Sequence, residues 1–327
     1  MMTRLHLDTD LGGDIDDLCA LVMVLNWPGA ELIAVTTNSD DGGRRAGYTR
    51  YALELAGRPD IPVAAGADVA LGCYRVRPGL PDEAAYWPEP IPAAPGPLEQ
   101  ALDLLERSIE QAATIVAIGA YTNLALLERR SPGILRRANL VLMGGHVYPP
   151  RAGFPPWNHE ADWNMQIDVE SAFTVLRCAD PLLVPLAVTV ETALRRSHLP
   201  ALKKAGPLAR LIARQAEAFA RDEGYEAKYG RTCPGLPADI INFLHDPLAC
   251  AVALGWKGVK TERLPLLSAV EDGWLRQRIQ EDGQPTRVVT AVDGGRFSEL
   301  WLDVVCKASL SSPYIVSGHA TSSSAVR

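Results

Sequence analysis

Short apolar segments alternate with amphipathic ones along most of this chain, and that alternation is what most constrains its fold. Apolar runs that end in Gly, Asn or Asp are typical of buried strands, whereas apolar residues spaced three and four apart indicate helices. Strands are predicted at residues 5–7, 32–36, 61–65, 114–118, 140–143 and 181–188, with peripheral strands from about residue 261 that include 286–292. Helices are predicted from residue 16 onward and at 44–55, 98–111, 122–130, 168–177 and 208–227. This order favours an α/β fold in which a mostly parallel open sheet is flanked by helices.

The length of 327 residues suits one large domain of this class. We expect a single domain over residues 1–307, followed by a Ser-rich C-terminal tail at residues 308–327. Two irregular stretches, residues 66–96 and 146–164, interrupt the pattern after strands. Long loops at the ends of parallel strands often carry binding or catalytic residues, so both stretches are candidates for a functional role.

Composition and charge exclude several classes of protein. The formal net charge is −7 and no long basic tract occurs, so nucleic acid is not an expected partner. No run of about twenty apolar residues and no N-terminal apolar core is present, so neither a membrane span nor a signal peptide is expected. The six cysteines are scattered without a CxxC pair, which argues against a zinc cluster and favours free thiols in the cytoplasm.

Five aspartates crowd the end of the first predicted strand and the start of the next helix, namely Asp8, Asp10, Asp14, Asp16 and Asp17. Open α/β sheets bind their ligands at this end of the strands. Helix capping accounts for the later aspartates, but it does not account for Asp8 and Asp10 at the strand end. Carboxylates packed this closely stay ionised together only around a cation, and all-oxygen ligation suits Ca²⁺ or Mg²⁺.

Five segments, in order, resemble the inosine–uridine nucleoside hydrolases, which split the N-glycosidic bond of ribonucleosides with a bound Ca²⁺. The first is DTDLGGDIDDLCAL at residues 8–21. The others are AIGAYTNLALL (117–127), VLMGGHV (141–147), EADWNMQIDVESA (160–172) and FLHDPLACAVAL (243–254). Together they cover roughly residues 3 to 255, and five in the family's order are a specific signal.

The resemblance implies a Ca²⁺ site and a hydrolytic mechanism. Asp10 would ligate the metal and act as general base on the attacking water. The remaining ligands would be Asp17, Asp246 and the backbone carbonyl of Thr122. The implied partner is a small ribonucleoside, and the implied assembly is a homodimer or homotetramer.

The resemblance also implies roles for residues around the substrate. Asp16 would accept hydrogen bonds from the ribose hydroxyls, and His245 would protonate the departing base. Further substrate-binding candidates are Asp162, Asn164, Asn158, Trp87 and Tyr229, with Trp87 stacking on the base and Tyr229 in a mobile lid.

The chain departs from the family pattern in places, and two alternatives stay open. Asp162 stands where Glu is usual, Leu11 replaces a common Pro, and the segment near residue 80 lacks the usual His-Gly. One alternative is a haloacid dehalogenase-like phosphatase with Asp8 as nucleophile, Asp10 as general acid and Mg²⁺ as cofactor. The other is a non-catalytic protein that binds Ca²⁺ or ribose through the same oxygens.

Overall fold

A computed structural model describes residues 2–72 and 80–307 of the protein. The strands are β1 (Thr3–Thr9), β2 (Ala30–Thr37), β3 (Val63–Ala65), β4 (Thr114–Ala117), β5 (Asn139–Met143), β6 (Leu182–Val184), β7 (Ala193–Arg195), β8 (Ile240–Phe243), β9 (Val259–Glu271), β10 (Trp274–Ile279) and β11 (Gln284–Val292). Nine of them form one sheet in the order β10-β9-β11-β6-β5-β4-β1-β2-β3, and β7 pairs with β8 in a second, two-stranded sheet.

The large sheet is mostly parallel, as the sequence predicts. All pairings from β3 across to β11 are parallel, and only the pairings of β9 with β11 and with β10, at one edge, are antiparallel. β4 shows why these strands read as continuous apolar runs. Val116 and Ile118 pack into the hydrophobic core on one face of the sheet, whereas Ile115 and Ala117 pack into the core on the other face.

Helices cover both faces of the large sheet. They are α1 (Asp16–Asn26), α2 (Arg44–Leu55), α3 (Glu83–Tyr86), α4 (Leu98–Glu110), α5 (Thr122–Arg130), α6 (Trp163–Gln166), α7 (Val169–Cys178), α8 (Leu186–Thr189), α9 (Leu199–Lys204), α10 (Pro207–Glu223), α11 (His245–Ala253) and α12 (Gly294–Lys307). In the described part of the chain, no helix is both long enough and apolar enough to span a membrane. The cysteines described there, Cys19, Cys178, Cys233, Cys250 and Cys306, carry free thiols.

Most predicted elements appear within a residue or two of their expected ends, and α2 matches the predicted range 44–55. The strand predicted at 181–188 is wrong in its second half, because β6 stops at Val184 and α8 begins at Leu186. The helix predicted at 208–227 ends at Glu223, since Gly224 adopts a left-handed conformation with φ of 63°. The proposed tail at 308–327 lies outside the described residues.

Candidate active site

A cavity of about 770 Å³ opens at the carboxyl ends of the parallel strands. Its lining comes from the β1–α1 turn, the ends of β4 and β5, the loop before α6, the start of α11 and the end of α10. Ligands of open α/β sheets bind at this edge, where the chain leaves each strand. The irregular stretch at 146–164 contributes five of the lining residues, namely Trp157, Ala161, Asp162, Trp163 and Asn164.

Three buried carboxylates meet in this cavity. Asp16 and Asp17 open α1, and Asp246 is the second residue of α11, 229 positions further along the chain than Asp17. One oxygen from each of the three lies within 4.8 Å of the others, and all three side chains are buried. Burial first, and then mutual repulsion, raises the pKa of each carboxyl well above its ordinary value. Such a carboxylate cluster is stabilised by a cation that neutralises it.

Asp10 lines the same cavity beside this carboxylate cluster. Its negative charge contributes to the raised pKa of both Asp17 and Asp246, so the three side chains face a common space. Burial raises the pKa of Asp10 itself, while the Arg45 charge and a hydrogen bond from the Trp163 side chain lower it. The Arg45 guanidinium also donates to the backbone carbonyl of Asp10, which fixes the turn that carries the carboxylate.

Two glycines leave room for this arrangement. Gly12 has φ of 110°, and a Cβ there would lie 2.5 Å from the ring of Tyr48. At Gly119 a Cβ would lie 2.7 Å from the carboxylate of Asp10. A side chain at either position would displace the turn or the carboxylate, so these glycines are required by close packing.

Asp8 has a different environment from Asp10, although only Thr9 separates them. Asp8 is fully buried and accepts hydrogen bonds from Thr36 at 2.6 Å, Asn123 at 2.8 Å and Asn38 at 3.3 Å. Burial raises the pKa of Asp8 to about 6. Its carboxylate is therefore saturated with donors from neighbouring strands and turns, and it holds the sheet edge together.

Asp162 reaches the cavity from the residue just before α6, and Asn164 reaches it from the first turn of α6. The amide nitrogen of Asn164 donates to the backbone carbonyls of Ile118 at 3.0 Å and Met143 at 3.1 Å. Its side-chain oxygen is the atom left to accept from a ligand. Asp162 accepts from the backbone nitrogens of Gly145 and Met165, and burial raises its pKa to about 6. Asp162, which stands where the family usually has the longer Glu, therefore accepts hydrogen bonds from the backbone and also lines the cavity.

His245 also lines the cavity, directly before Asp246 at the start of α11. Its Nδ1 lies 2.7 Å from the hydroxyl oxygen of Thr189, which leaves Nε2 as the nitrogen available to a ligand. Burial lowers the pKa of His245 to about 3, so its ring is neutral at neutral pH. The rings of Phe243 and Trp157 pack against it, with centroids 5.1 and 6.1 Å away.

Four residues predicted from the sequence lie outside the lining of this cavity. Trp87 is buried in the core, where its ring stacks on Tyr48 with a centroid distance of 4.4 Å, so packing accounts for it without a substrate. Asn158 is exposed and caps the short helical turn His159–Ala161. Tyr229 packs edge-on against Trp157.

Thr122 is the fourth residue. It is buried at the first position of α5, and its hydroxyl donates to Asp168 at 2.6 Å. The residue of this segment that lines the cavity is Ile118, which directly follows β4. Thr122 is absent from the lining, so the lining favours Ile118 as the segment's contribution to the site.

Sequence reasoning missed one side of the cavity, which we call the α10 wall. It consists of the lining residues from 81–86 and 219–225, namely Pro81, Asp82, Tyr86, Phe219, Asp222, Glu223 and Tyr225. The available signal was a stretch rich in acidic and aromatic residues near the end of a long amphipathic helix. Nothing local in the sequence indicates that this stretch meets residues 81–86.

Comparisons with known proteins identify a family that this chain matches. A family model described as inosine-uridine preferring nucleoside hydrolase matches residues 5–299. The chain is 30% identical over 305 residues to the pyrimidine-specific ribonucleoside hydrolase RihA of Enterobacter sp. (strain 638), covering 90% of this chain and 88% of that protein.

Solved structures show the same fold. A plant nucleoside hydrolase, the PpNRh1 enzyme, superposes with a TM-score of 0.77 at 21% identity, covering 94% of this chain and all of that one. A purine-preferring ribonucleoside hydrolase from Gardnerella vaginalis gives a TM-score of 0.73 at 23% identity, covering 93% and 98%. With a family match over nearly the whole chain, the protein belongs to the inosine-uridine preferring nucleoside hydrolase family.

Proposed function

We propose that this protein is a Ca²⁺-dependent enzyme that hydrolyses the N-glycosidic bond of ribonucleosides to free base and ribose. The observation that carries the proposal is the carboxylate cluster of Asp16, Asp17 and Asp246, buried within a cavity large enough for a nucleoside. Family membership supplies the reaction class, and the cavity supplies the groups that the reaction needs.

The residues present fit a hard cation. Their donors are carboxylate oxygens, and the raised pKa of each shows how costly the charges are when nothing neutralises them. Asp10, Asp17 and Asp246 would hold Ca²⁺, and a backbone carbonyl, predicted at Thr122 and geometrically better offered at Ile118, would add a neutral ligand. When bound, the ion would orient the ribose hydroxyls and make water more acidic.

Asp10 would act as general base. It stands among the carboxylates yet is also in reach of the Arg45 charge, so burial and attraction act on its proton in opposite directions. A base needs this balance, because it must be ionised before the reaction and able to hold a proton afterwards. Removal of a proton from water by Asp10 would deliver hydroxide to the anomeric carbon of the sugar.

The sugar would be held from two sides. Asp16 would accept hydrogen bonds from the ribose hydroxyls at the carboxylate cluster. Asn164 and Asp162 would hold the sugar from the opposite wall, where backbone contacts already fix both side chains. Positioning of this kind lowers the entropic cost of reaching the transition state.

His245 would assist the departing base. Because its ring is neutral at neutral pH, one ring nitrogen donates and the other accepts. In the tautomer in which Nδ1 accepts from the Thr189 hydroxyl, Nε2 would carry the proton and offer it to the leaving nitrogen. A base that accepts this hydrogen bond leaves more readily than one that departs as a free anion.

Charge in the cavity favours nucleosides over nucleotides. Nine of the described lining residues are carboxylic acids, whereas Arg45 is the single arginine and no lysine lines the cavity in that part of the chain. A phosphate would be repelled there. Asp8, which a haloacid dehalogenase-like phosphatase would use as nucleophile, is buried and saturated with hydrogen bonds instead.

The experiment is an assay of free ribose release from inosine, adenosine, uridine and cytidine, with and without a chelator. We expect turnover that chelation abolishes and that added Ca²⁺ restores. Binding of Ca²⁺ and nucleoside without any release of ribose would instead identify a non-catalytic binding protein. Release that persists after chelation, in protein without metal by elemental analysis, would contradict the metal site.

A further inference from the structure

The α10 wall carries one hydrogen-bonded pair that faces the cavity. Tyr86 is the last residue of α3, and Asp222 lies one residue before the end of α10. The Tyr86 hydroxyl donates to the Asp222 carboxylate at 2.9 Å, although 135 residues separate them in the sequence. Both residues line the cavity, Tyr86 as a buried ring and Asp222 as an exposed carboxylate.

A second bond holds these two elements in place. The Arg214 guanidinium, two turns earlier on α10, donates to the backbone carbonyl of Ala84 at 2.7 Å. Gly224 then ends α10 in a left-handed conformation, which turns Tyr225 toward the same wall. The pair is therefore fixed by the fold before any ligand enters.

The pair offers hydrogen-bond acceptors to a ligand. Burial and the negative charge of Asp222 raise the pKa of Tyr86, so its hydroxyl keeps its proton and gives it to Asp222. The remaining lone pairs of both groups can only accept. Arg45, the arginine of the lining, donates to the backbone carbonyls of Ser39 and Asp10.

We infer that Asp222, held by Tyr86, selects ribonucleosides whose base presents an exocyclic amino group, such as cytidine and adenosine, over their oxo counterparts uridine and inosine. The inference rests on the proposed ribonucleoside hydrolysis, because the α10 wall lines the same cavity as the carboxylate cluster that would hold the ribose. An amino group donates to the Asp222 carboxylate. A carbonyl at the same position of the base would meet another acceptor and lose the bond.

The test compares kcat/KM within two matched pairs, cytidine against uridine and adenosine against inosine. A hydrogen bond to a charged acceptor corresponds to a preference of about tenfold or more. The variant Asp222→Asn exchanges one acceptor for an amide donor, so the preference should fall about tenfold or reverse. Hydrolysis of p-nitrophenyl riboside, which has no such base edge, reports separately whether Asp222→Asn still cleaves the glycosidic bond.

Glu217→Gln supplies the matched control. It removes a carboxylate from the same helix, but Glu217 pairs with Lys203 at 2.6 Å and lies outside the lining of the cavity. The Glu217→Gln variant should keep the wild-type preference for amino over oxo nucleosides. Thermal unfolding of both variants checks that the fold is kept.

The inference is overturned if the wild type shows no preference in either pair, or if Asp222→Asn keeps the wild-type preference. The proposed hydrolysis fails separately, when no nucleoside and no p-nitrophenyl riboside is cleaved. In that case calorimetric binding of the same nucleosides still decides the inference. The wild type should bind cytidine and adenosine about tenfold more tightly than uridine and inosine, and Asp222→Asn should not.

Discussion

The two sides of the cavity are built in different ways. At the sheet edge, one strand end and one helix start bring the acidic residues of 10–17 together within a single turn, and Asp246 joins them from the start of α11. The α10 wall joins a four-residue helix to the end of a seventeen-residue one, and the bond that links them spans 135 residues of sequence. The first side carries the proposed cation and general-base groups, whereas the second carries the pair that we propose contacts the base.

Burial sharpens this difference. The side chains of the carboxylate cluster are buried, and their pKa values are raised far from ordinary. Asp82 and Asp222 on the α10 wall are exposed to solvent. Changes at the sheet edge should therefore abolish catalysis, and changes on the α10 wall should alter only the choice of base.

The largest expected effect is loss of the cation site. Asp17→Ala or Asp246→Ala removes one of the clustered carboxylates, so activity should fall below detection and bound Ca²⁺ should disappear by elemental analysis. Saturating Ca²⁺ should stabilise the wild type by about 2–3 kcal/mol at a hundredfold excess over Kd, and should no longer stabilise either variant. Asp60→Ala, at an exposed surface ion pair, is the control. A variant that keeps full activity would show that the ion sits elsewhere.

The next effect concerns Asp10. Asp10→Asn keeps the shape of the side chain but cannot hold a proton, so kcat should fall by about 10²–10⁴ while nucleoside binding persists. Single-turnover rates and calorimetry measure the two quantities separately. A kcat within about threefold of the wild type would move the base role from Asp10 to a different carboxylate of the cavity.

A smaller loss is expected at His245. His245→Ala should slow hydrolysis of inosine or uridine by roughly 10²-fold, since the leaving base then lacks its hydrogen-bond donor. The same variant should cleave p-nitrophenyl riboside at nearly the wild-type rate, because that leaving group departs without a proton. Equal losses on both substrates would mean that the ring holds α11 and Asp246 in place instead.

Local patterns predicted the sheet edge well but not the α10 wall. The glycines and aspartates of residues 8–17 specify a turn at a strand end, and that turn fixes where the carboxylates point. Pairing between Tyr86 and Asp222 depends on how α10 packs, which no short pattern encodes. Trp87 was expected in the site because it lies in the right loop, but Tyr86 faces the cavity, since neighbouring side chains point in different directions.

Some secondary-structure elements were also predicted wrongly or not at all, because their positions depend on packing that no short sequence pattern encodes. The apolar run at 181–188 predicts one strand, but Pro185 separates β6 from α8 and no polar residue marks that turn. The two-stranded sheet of β7 and β8 has three- and four-residue strands, too short for a periodic pattern to show. Short buried elements are positioned by their neighbours more than by their own sequence.

Stabilisation by Ca²⁺ should depend on pH. Burial raises the pKa of Asp162 to about 6 and raises the pKa of each carboxyl in the cluster well above its ordinary value. In the metal-free protein these acids therefore contribute stability below about pH 4, and that contribution is lost as the pH rises through their raised pKa values. Ca²⁺ needs the ionised forms, so the rise in Tm on adding Ca²⁺ should grow from pH 5 to pH 8. The pKa of buried His6, lowered to about 3, has the opposite effect on stability, but this effect cancels in the difference with and without Ca²⁺. A Tm shift that is constant with pH would argue against carboxylate ligands.

The smallest effect on catalysis separates two adjacent residues. Trp87→Phe shrinks a buried ring that stacks on Tyr48, so the free energy of unfolding should fall by about 1–3 kcal/mol while kcat/KM stays within about threefold. Tyr86→Phe should do the reverse, because it keeps the buried ring but removes the hydroxyl that holds Asp222. Its stability should change little, and its preference for cytidine over uridine should weaken. Denaturant unfolding and paired kinetics on both variants measure this contrast, and a Trp87 variant that changed base preference would place the indole beside the substrate after all.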